Sequence, residues 1–377
     1  MDRMRLTEFC GERLTTQEIA AIKGLSVDGA EPLLNLRHGA EPRITYRRRT
    51  LRLRTCLHLG QTKLAVGLLR FLLEYGRLAK TVLYVGAAPG TNIVEIAKLF
   101  PEHRFVLYDP APFRLNLENE ETAISKRFSV YREFFTNETA KKWANRVDGL
   151  LFVSDIRTGN SNNELQREVL KNMAMQRVWY DILGKTARMT MLKFRLPYSS
   201  SKQIRYPLGE IWLQPWAAVT STETRLVVKP EAPDVYYNSN IYEEELFYHN
   251  TVRREWQFCS IPPLIAGADN CWDCCATMRI YTKYVSQYPQ YYTRRSESDT
   301  IDTPDTIGTP DTSGTPDKKD IQCHAELFIC RLVRRLGQSW DSPPHGKSAG
   351  VPMPSRREKL FDFLVESDRK HKKKKRR

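Results

Sequence analysis

The stretch TVLYVGAAPGTNIVEIAKLFPEHRFVLYDP, residues 81–110, constrains the fold more than any other part of the chain. An apolar run leads into a turn rich in Gly and Pro, a helical pattern follows, and a second apolar run ends at Asp109. Two apolar runs separated by a segment of helical length are typical of a parallel βαβ unit. The stretch therefore predicts an α/β sheet with a ligand site at the turn.

The same alternation continues along the chain. Helical patterns cover residues 64–75, ending near Gly76, and 162–184. Short apolar runs that predict further strands occupy residues 149–155, 189–194, 210–215, 224–228 and 278–285. Such buried runs with helix-length spacers predict an α/β fold of Rossmann-like type, with a mostly parallel sheet and helices on both faces.

Composition divides the 377-residue chain into three parts. Residues 1–55 form a basic N-terminal lead-in, and residues 56–295 form the α/β domain. Residues 296–377 contain a repeated TPD motif with little to bury, and we expect them to be a largely disordered tail that ends in HKKKKRR. The lead-in contains a basic run that we expect to follow an RNA backbone, made up of Arg47, Arg48, Arg49, Arg52 and Arg54.

The formal net charge of +15 indicates a polyanionic partner, and nucleic acid is the leading candidate. No apolar stretch is long enough for a membrane span, so we expect no membrane partner. The terminal run HKKKKRR favours import into the nucleus. A cytoplasmic location is the alternative if the source is viral.

The residues of the turn after the first predicted strand indicate which nucleotide-like ligand binds there. It contains Gly86 and Gly90 but lacks the three glycines of the dinucleotide fingerprint, so NAD is the weaker choice. Asp109 follows about 20 residues later, the spacing at which an acid accepts hydrogen bonds from ribose hydroxyls. We expect S-adenosylmethionine over Gly86, Ala87, Ala88 and Gly90. A tight turn without a ligand remains the alternative at this point.

Four charged residues interrupt or end the apolar patterns, and they are Lys63, Asp155, Lys193 and Glu223. Each alone is explained by an ion pair at a strand end. Together they suit methylation of a ribose hydroxyl, which needs a base and an in-line approach to the methyl group. A lysine serves as that base only when burial or a second cation lowers its pKa from about 10.4. We expect Lys193 to be the base, with Lys63 as the second cation.

These residues carry a resemblance to a known family. GAAPGT, LYDP, LFVSDIR, LKFRLPY and LQPWAAVTSTETRLVV resemble, in order and spacing, the poxvirus cap-specific mRNA 2′-O-methyltransferases, which also serve as processivity subunits of the viral poly(A) polymerase. They also resemble the related trypanosomatid enzymes, and the resemblance covers residues 57–285. It implies S-adenosylmethionine as cofactor, 7-methylguanosine-capped mRNA as substrate, and capping or polyadenylation factors as further partners.

The resemblance also assigns site residues. Lys63, Asp155, Lys193 and Glu223 match a catalytic tetrad. The expected cofactor-binding residues are Gln61, Gly86, Ala87, Ala88, Gly90, Asp109 and Asp155. A methylated guanine carries positive charge and stacks between aromatic rings. Tyr198 matches one stacking ring and Glu243 the acid that reads the base edge, while Tyr46 is the candidate for the opposite ring.

Two other functions stay open. One is a non-catalytic RNA-binding partner of a poly(A) polymerase, and the other is a 2′-O-methyltransferase of ribosomal or transfer RNA. The proposed reaction requires no metal. Cys271, Cys274 and Cys275, in CWDCC, are interpreted as packing residues rather than zinc ligands, because a structural zinc site needs four ligands.

Overall fold

The structure is a computed structural model, and it describes residues 15–25, 31–47, 60–115, 117, 122–145, 148–158, 165–198, 203–218, 221–254, 271–289 and the single positions 321, 322, 325, 326, 328, 329, 332 and 336. The chain divides into two compact units. The larger unit lies within residues 1–26 and 33–257, and the smaller within residues 27–32 and 258–377. The TPD repeats and the terminal HKKKKRR lie outside the described residues.

The first half of the larger unit alternates helices with strands, as predicted. Its helices are α1 (Thr16–Lys23), α2 (Gly60–Tyr75), α3 (Thr91–Leu99), α4 (Thr122–Ser125) and α5 (Asn137–Ala144). Its strands are β1 (Asn35–Leu36), β2 (Thr81–Val85), β3 (Arg104–Tyr108), β4 (Phe128–Tyr131) and β5 (Leu150–Ser154).

The second half adds one long helix and several antiparallel strands. The helices are α6 (Leu165–Leu183), followed by a 3-10 turn (Gly184–Thr186), and α7 (Ser239–Tyr248), followed by a π-helical turn (His249–Arg253). The strands are β6 (Ala187–Phe194), β7 (Gln203–Pro207), β8 (Glu210–Trp212), β9 (Thr224–Val228) and β10 (Asp234–Asn238).

One eight-stranded sheet has the order β1-β8-β9-β6-β5-β2-β3-β4. The five strands from β6 to β4 are parallel, whereas β9, β8 and β1 add on antiparallel. β7 and β10 pair separately. The α/β class and the mostly parallel sheet are confirmed, and all residues of β5 and β9 are buried, which explains their continuous apolar runs.

The order of the strands creates a crevice at the carboxyl ends of β2 and β5. The chain leaves β2 for β3 and β4 on one side, then returns to place β5 on the other side of β2. Because crossovers between parallel strands are right-handed, this reversal puts helices on opposite faces of the sheet. Ligands of open α/β sheets bind where the strand order reverses. Gly86 directly follows β2, and Asp155 directly follows β5.

The smaller unit contains α8 (Trp272–Gln287), so the strand predicted at residues 278–285 is wrong. Aromatic and β-branched side chains favoured a strand. The buried residues Ala276, Ile280 and Tyr284 nevertheless recur every four positions, which is a helical spacing. In the stretch interpreted as tail, the described residues between 321 and 336 are helical, and the buried ones include Ala325, Ile329, Leu332 and Leu336.

Candidate active site

The structure brings the four predicted charged residues together at the carboxyl edge of the sheet. The Lys193 Nζ lies 3.1 Å from Asp155 Oδ1 and 3.4 Å from Glu223 Oε2. Lys63, on the first turn of α2, donates to Glu223 Oε1 at 2.5 Å. Asp155 follows β5, Lys193 is near the end of β6, and Glu223 precedes β9, so three separate strands position the cluster.

Arg225 is a fifth member that the sequence interpretation missed. It lies opposite Lys193 in the pairing of β6 with β9 and is 3% exposed. Its guanidinium donates to Asp155 Oδ1 at 2.7 Å and lies 3.6 Å from Glu223 Oε1. The signal in the sequence is an arginine inside the otherwise apolar strand TRLVV. Arginines inside buried strands are rare unless they are paired.

The cluster contains one more cation than it has carboxylates. Three cations, Lys63, Lys193 and Arg225, face the two carboxylates of Asp155 and Glu223. A net positive charge in a buried site is costly, and loss of one proton from a lysine removes it. Arg225 keeps its proton, because the adjacent carboxylates outweigh burial and raise its pKa.

The pKa shifts in the cluster have identifiable causes. Burial lowers the pKa of the Lys63 amine, although Glu223 opposes the shift. Burial alone would raise the pKa of Asp155, but Arg225 and Lys193 outweigh it and lower that pKa. Burial likewise opposes ionisation of Glu223, yet Lys193 and Lys63 bring its pKa well below the ordinary value. Both carboxylates are therefore ionised at neutral pH and accept hydrogen bonds from the amines.

The main chain of Lys193 is held by a glutamine. Gln176 on α6 accepts a hydrogen bond from the Lys193 N–H at 3.1 Å and donates one to the Lys193 carbonyl at 3.0 Å. The pairing of β5 with β6 ends one residue earlier, at Ser154 and Leu192. The amide of Gln176 thus replaces the missing strand, and because Gln176 is 1% exposed it is fixed by packing.

The turn after β2 approaches the cluster closely. Gly86 and Gly90 have φ values of 75° and 79°, a region that favours glycine. A Cβ atom on Gly86 would lie 2.7 Å from the main-chain carbon of Asp155, and one on Gly90 would lie 2.5 Å from a methyl group of Leu115. The two glycines therefore let the turn at the start of α3 pack directly against the main chain of Asp155 and against Leu115. A glycine turn that leads into the N-terminus of a helix fits the amino-acid part of S-adenosylmethionine.

The other predicted cofactor residues surround the same turn. Asp109 accepts from the N–H groups of Ala88 at 3.0 Å and Ala111 at 2.8 Å, which fixes its carboxylate at the end of β3. The N–H of Ala87 points to the carbonyl of Tyr108 at 3.3 Å. Gln61 on α2 accepts from the Thr91 hydroxyl at 2.9 Å. The Asp109 carboxylate, held at the end of β3 beside the turn, is placed to accept hydrogen bonds from the ribose hydroxyls of S-adenosylmethionine.

Tyr46 and Tyr198 form what we call the aromatic slot. Their ring planes are inclined by only 8°, and their centroids are 6.5 Å apart. A flat ring between two others needs about 7 Å, which is two contacts of about 3.5 Å. Phe247 on α7 meets the ring of Tyr46 edge-on at 5.4 Å. Glu243 precedes Phe247 by one helical turn, so it lies on the same face of α7.

Part of the predicted RNA surface is not described. Arg48, Arg49, Arg52 and Arg54 lie outside the described residues. Arg47 lies within them, and it forms an ion pair with the buried Glu18 at 3.0 Å. Its guanidinium therefore has a protein partner, in contrast to the phosphate contact expected from the sequence.

Residues 42–286 match the family described as poly A polymerase regulatory subunit. The chain belongs to this family. The resemblance inferred from the five sequence motifs is thereby confirmed, and the match spans β2 to β10, the charged cluster and the aromatic slot.

Viral relatives carry an enzymatic name. A Myxoma virus (strain Lausanne) protein named cap-specific mRNA (nucleoside-2′-O-)-methyltransferase is 27% identical over 214 residues, which cover 52% of this chain and 62% of the relative. A Fowlpox virus (strain NVSL) protein of the same name is 27% identical over 212 residues, covering 51% and 67%. The chain thus spans less than two thirds of the Myxoma virus relative's length.

Neither a membrane-spanning helix nor a metal-binding cluster occurs in the described ranges. In those ranges, no helix combines the length and the apolar character that crossing a bilayer demands. The same ranges contain no group of three or more His, Cys, Asp or Glu side chains arranged to hold a metal ion.

Proposed function

We propose that the chain transfers a methyl group from S-adenosylmethionine to the ribose 2′-hydroxyl of a cap-proximal nucleotide in 7-methylguanosine-capped mRNA. The observation that carries the proposal is the amine of Lys193, held between two carboxylates beside the glycine turn. Membership of the family and the names of the viral relatives support the same reaction.

The chemistry follows from the charged cluster. When bound, S-adenosylmethionine supplies an electrophilic methyl group on a sulfonium and leaves as the neutral thioether. Lys193 Nζ, as the uncharged amine, accepts the proton of the 2′-hydroxyl while the ribose oxygen forms its bond to the methyl carbon. Asp155 and Glu223 orient that amine and stabilise the ammonium ion that results. Arg225 beside Asp155 and Lys63 beside Glu223 help to keep the two carboxylates ionised.

The aromatic slot supports the cap as the recognition element. The methylated guanine is flat and positively charged, and it gains from two parallel aromatic faces. Tyr46 and Tyr198 offer two nearly parallel faces, and their centroid separation of 6.5 Å must widen slightly to admit the base. Glu243 supplies a carboxylate on the face of α7 that also carries Phe247. Tyr198 follows the end of β6 by four residues, so binding of the cap places the first nucleotides near Lys193.

The test is methyl transfer from labelled S-adenosylmethionine to capped and uncapped RNAs, followed by digestion and identification of the methylated nucleoside. We expect label on a cap-proximal ribose of capped RNA. Lys193→Arg keeps the charge but removes the base, and it should lower the rate at least about a hundredfold. Lys185→Arg, in the exposed 3-10 turn, is the matched control. Full activity of Lys193→Arg, or equal transfer to uncapped ribosomal or transfer RNA, would contradict the proposal.

A second candidate function is that of an RNA-binding partner of a poly(A) polymerase, which the description of the family favours. Poly(A) tailing by a cognate polymerase, with and without the chain, separates the two functions. Stimulation without any methyl transfer by the wild-type chain would favour the binding role alone. Stimulation that survives in Lys193→Arg, together with methyl transfer by the wild type, would show both roles in one chain.

We also propose that the protein acts in the nucleus, on the basis of the run HKKKKRR. A fluorescent fusion of the full chain should accumulate in nuclei, and deletion of residues 371–377 should abolish that accumulation. Cytoplasmic fluorescence of the full-length fusion would support the alternative location.

A further inference from the structure

The segment that carries Tyr46 is fastened to α7 by a buried glutamate. Glu245 is 0% exposed. Its Oε1 accepts from the N–H of Gly39 at 2.6 Å and faces that of Glu41 at 3.4 Å, and its Oε2 lies 2.9 Å from His38 Nδ1. We call these contacts the Glu245 clasp. One carboxylate thus holds three successive parts of a turn that lies about 200 positions away in the sequence.

The hydrogen bonds of His38 determine which ring nitrogen donates to Glu245. The main-chain N–H of Asn238 donates to His38 Nε2 at 3.1 Å, so a neutral ring carries its proton on Nδ1. That proton points to Glu245. The ring also packs against Tyr237 and Tyr242, with centroids 5.7 and 6.3 Å away. The turn at residues 38–41 is therefore fixed to the end of β10 as well as to α7.

A second contact continues the attachment towards the aromatic slot. Glu41 pairs with Arg253 of the π-helical turn at 3.1 Å. Ile44, three residues further, is 2% exposed. Tyr46, two residues after Ile44, is 47% exposed, with Phe247 against its edge and Tyr198 parallel to its face. The position of this half-exposed ring thus depends on the attachment of the segment that precedes it.

We propose that the Glu245 clasp is the positioning device that makes the enzyme select capped RNA, an inference that rests on the proposed function. Glu245 touches neither the slot nor the charged cluster, and it acts through the segment 38–47. Without its carboxylate, the N–H groups of Gly39 and Glu41 lose their acceptor. The segment then samples other positions, and Tyr46 is parallel to Tyr198 for only part of the time. Affinity for the cap falls by that fraction.

The test compares Glu245→Gln with the wild type. Glutamine keeps the size and one acceptor oxygen, so its NH₂ group must face either the ring N–H of His38 or the N–H groups of Gly39 and Glu41. We expect the Kd for 7-methylguanosine triphosphate, measured by quenching of intrinsic fluorescence, to rise roughly tenfold. The KM for capped RNA should rise by a similar factor, whereas kcat and the rate on uncapped RNA stay unchanged. Glu102→Gln, which removes an exposed carboxylate paired with Lys80, is the control.

Tyr198→Leu distinguishes failure of this inference from failure of the proposed function. If Tyr198→Leu loses the cap analogue while folded Glu245→Gln binds it like the wild type, the clasp has no role in selection and the function stands. If the wild type itself neither binds the analogue nor prefers capped RNA, the proposed function fails. Should Glu245→Gln not fold, His38→Phe keeps the ring packing and removes both hydrogen bonds, and an unchanged Kd there overturns the inference.

Discussion

Gln176, an uncharged residue of α6, positions Lys193. Its side-chain amide makes two hydrogen bonds to the main chain of Lys193, where the neighbouring strand has already ended. The amine at the end of that side chain must keep its distances from two carboxylates. Misplacement by a fraction of an ångström matters for a reaction that requires aligned atoms.

Gln176→Leu should therefore lower kcat by about tenfold with little change in KM. Leucine fills the space but leaves the N–H and carbonyl of Lys193 without a partner, which should also cost about 1–3 kcal/mol of unfolding free energy. Steady-state kinetics and urea denaturation measure the two effects. Ala174→Leu, on the exposed side of α6, is the control. An unchanged kcat would show that β9 alone is sufficient to position Lys193.

The stability of the charged cluster should depend on pH through Glu223. Its pKa is lowered in the folded protein, so its contribution is present above the ordinary glutamate pKa and is lost as the pH falls through the folded value. At pH 7, Glu223→Gln should lower the unfolding free energy by about 3 kcal/mol, because it leaves buried cations unpaired.

The difference between wild type and Glu223→Gln should shrink as the medium is acidified below about pH 4. Urea titrations at several pH values measure it, with Glu102→Gln as the exposed comparison. A difference that stays constant across this range would mean that Glu223 is not ionised in the folded cluster.

At the level of single residues, a charge in an apolar pattern is the informative signal. Lys63, Asp155 and Lys193 are visible in this way, and the structure places them together. Arg225, which interrupts the apolar strand TRLVV, carries the same signal. Gln176 and Glu245 have none, because polar residues in helices are ordinary, and their importance follows from partners that are distant in sequence.

The helix α7 and its π-helical turn support both halves of the candidate site. On one side, Tyr242 donates to the carbonyl of Thr222 at 2.7 Å, and Asn250 donates to that of Ser221 at 2.9 Å. These bonds hold the loop that delivers Glu223. On the other side, α7 holds the segment 38–47 through Glu245. π-helical turns occur frequently at functional sites, and here the turn places Asn250 towards the loop.

Changes on the two sides of α7 should affect different constants, kcat on one side and the Kd for the cap analogue on the other. Asn250→Ala removes the bond to Ser221, so Glu223 loses part of its support and kcat should fall several-fold, with an unchanged Kd for the cap analogue. Glu245→Gln should raise the Kd for the cap analogue and leave kcat unchanged. Measuring both constants for both variants tests the division. A loss of cap affinity in Asn250→Ala without a loss in kcat would refute it.

At the level of elements, the long apolar runs and helical patterns of the parallel core were predictable. β4, β7 and β10 were not, because their side chains are largely exposed or mixed and resemble loops. The residues 278–285 show the opposite error. Their aromatic side chains predict a strand. The buried side chains recur every four positions, however, and the segment forms the helix α8. The strand β9 was predictable, but its antiparallel pairing with β6 was not, because the pairing is set by tertiary contacts.

The whole molecule carries a charge that should govern its affinity for RNA. The net charge is +15, and residues 372–377 are all Lys or Arg. Deletion of these six residues should weaken the binding of RNAs of any sequence. It should also reduce the slope of the logarithm of the binding constant against the logarithm of the salt concentration. The Kd for the cap analogue should not change, since stacking in the aromatic slot does not involve them. Filter binding at several salt concentrations measures the slope, and an unaltered slope would exclude the tail from RNA contact.

The reversal of strand order between β2 and β5 has a consequence for how such a protein diversifies. Most of the proposed methyl-donor pocket comes from one continuous stretch, residues 81–115, to which Gln61 and Asp155 are added. The surfaces proposed to read the acceptor come from residues 38–47, 195–198 and 239–247. Mutations in the latter segments leave the donor pocket untouched. A lineage with this architecture is therefore free to exchange one RNA target for another by remodelling its periphery, while its reaction is inherited intact.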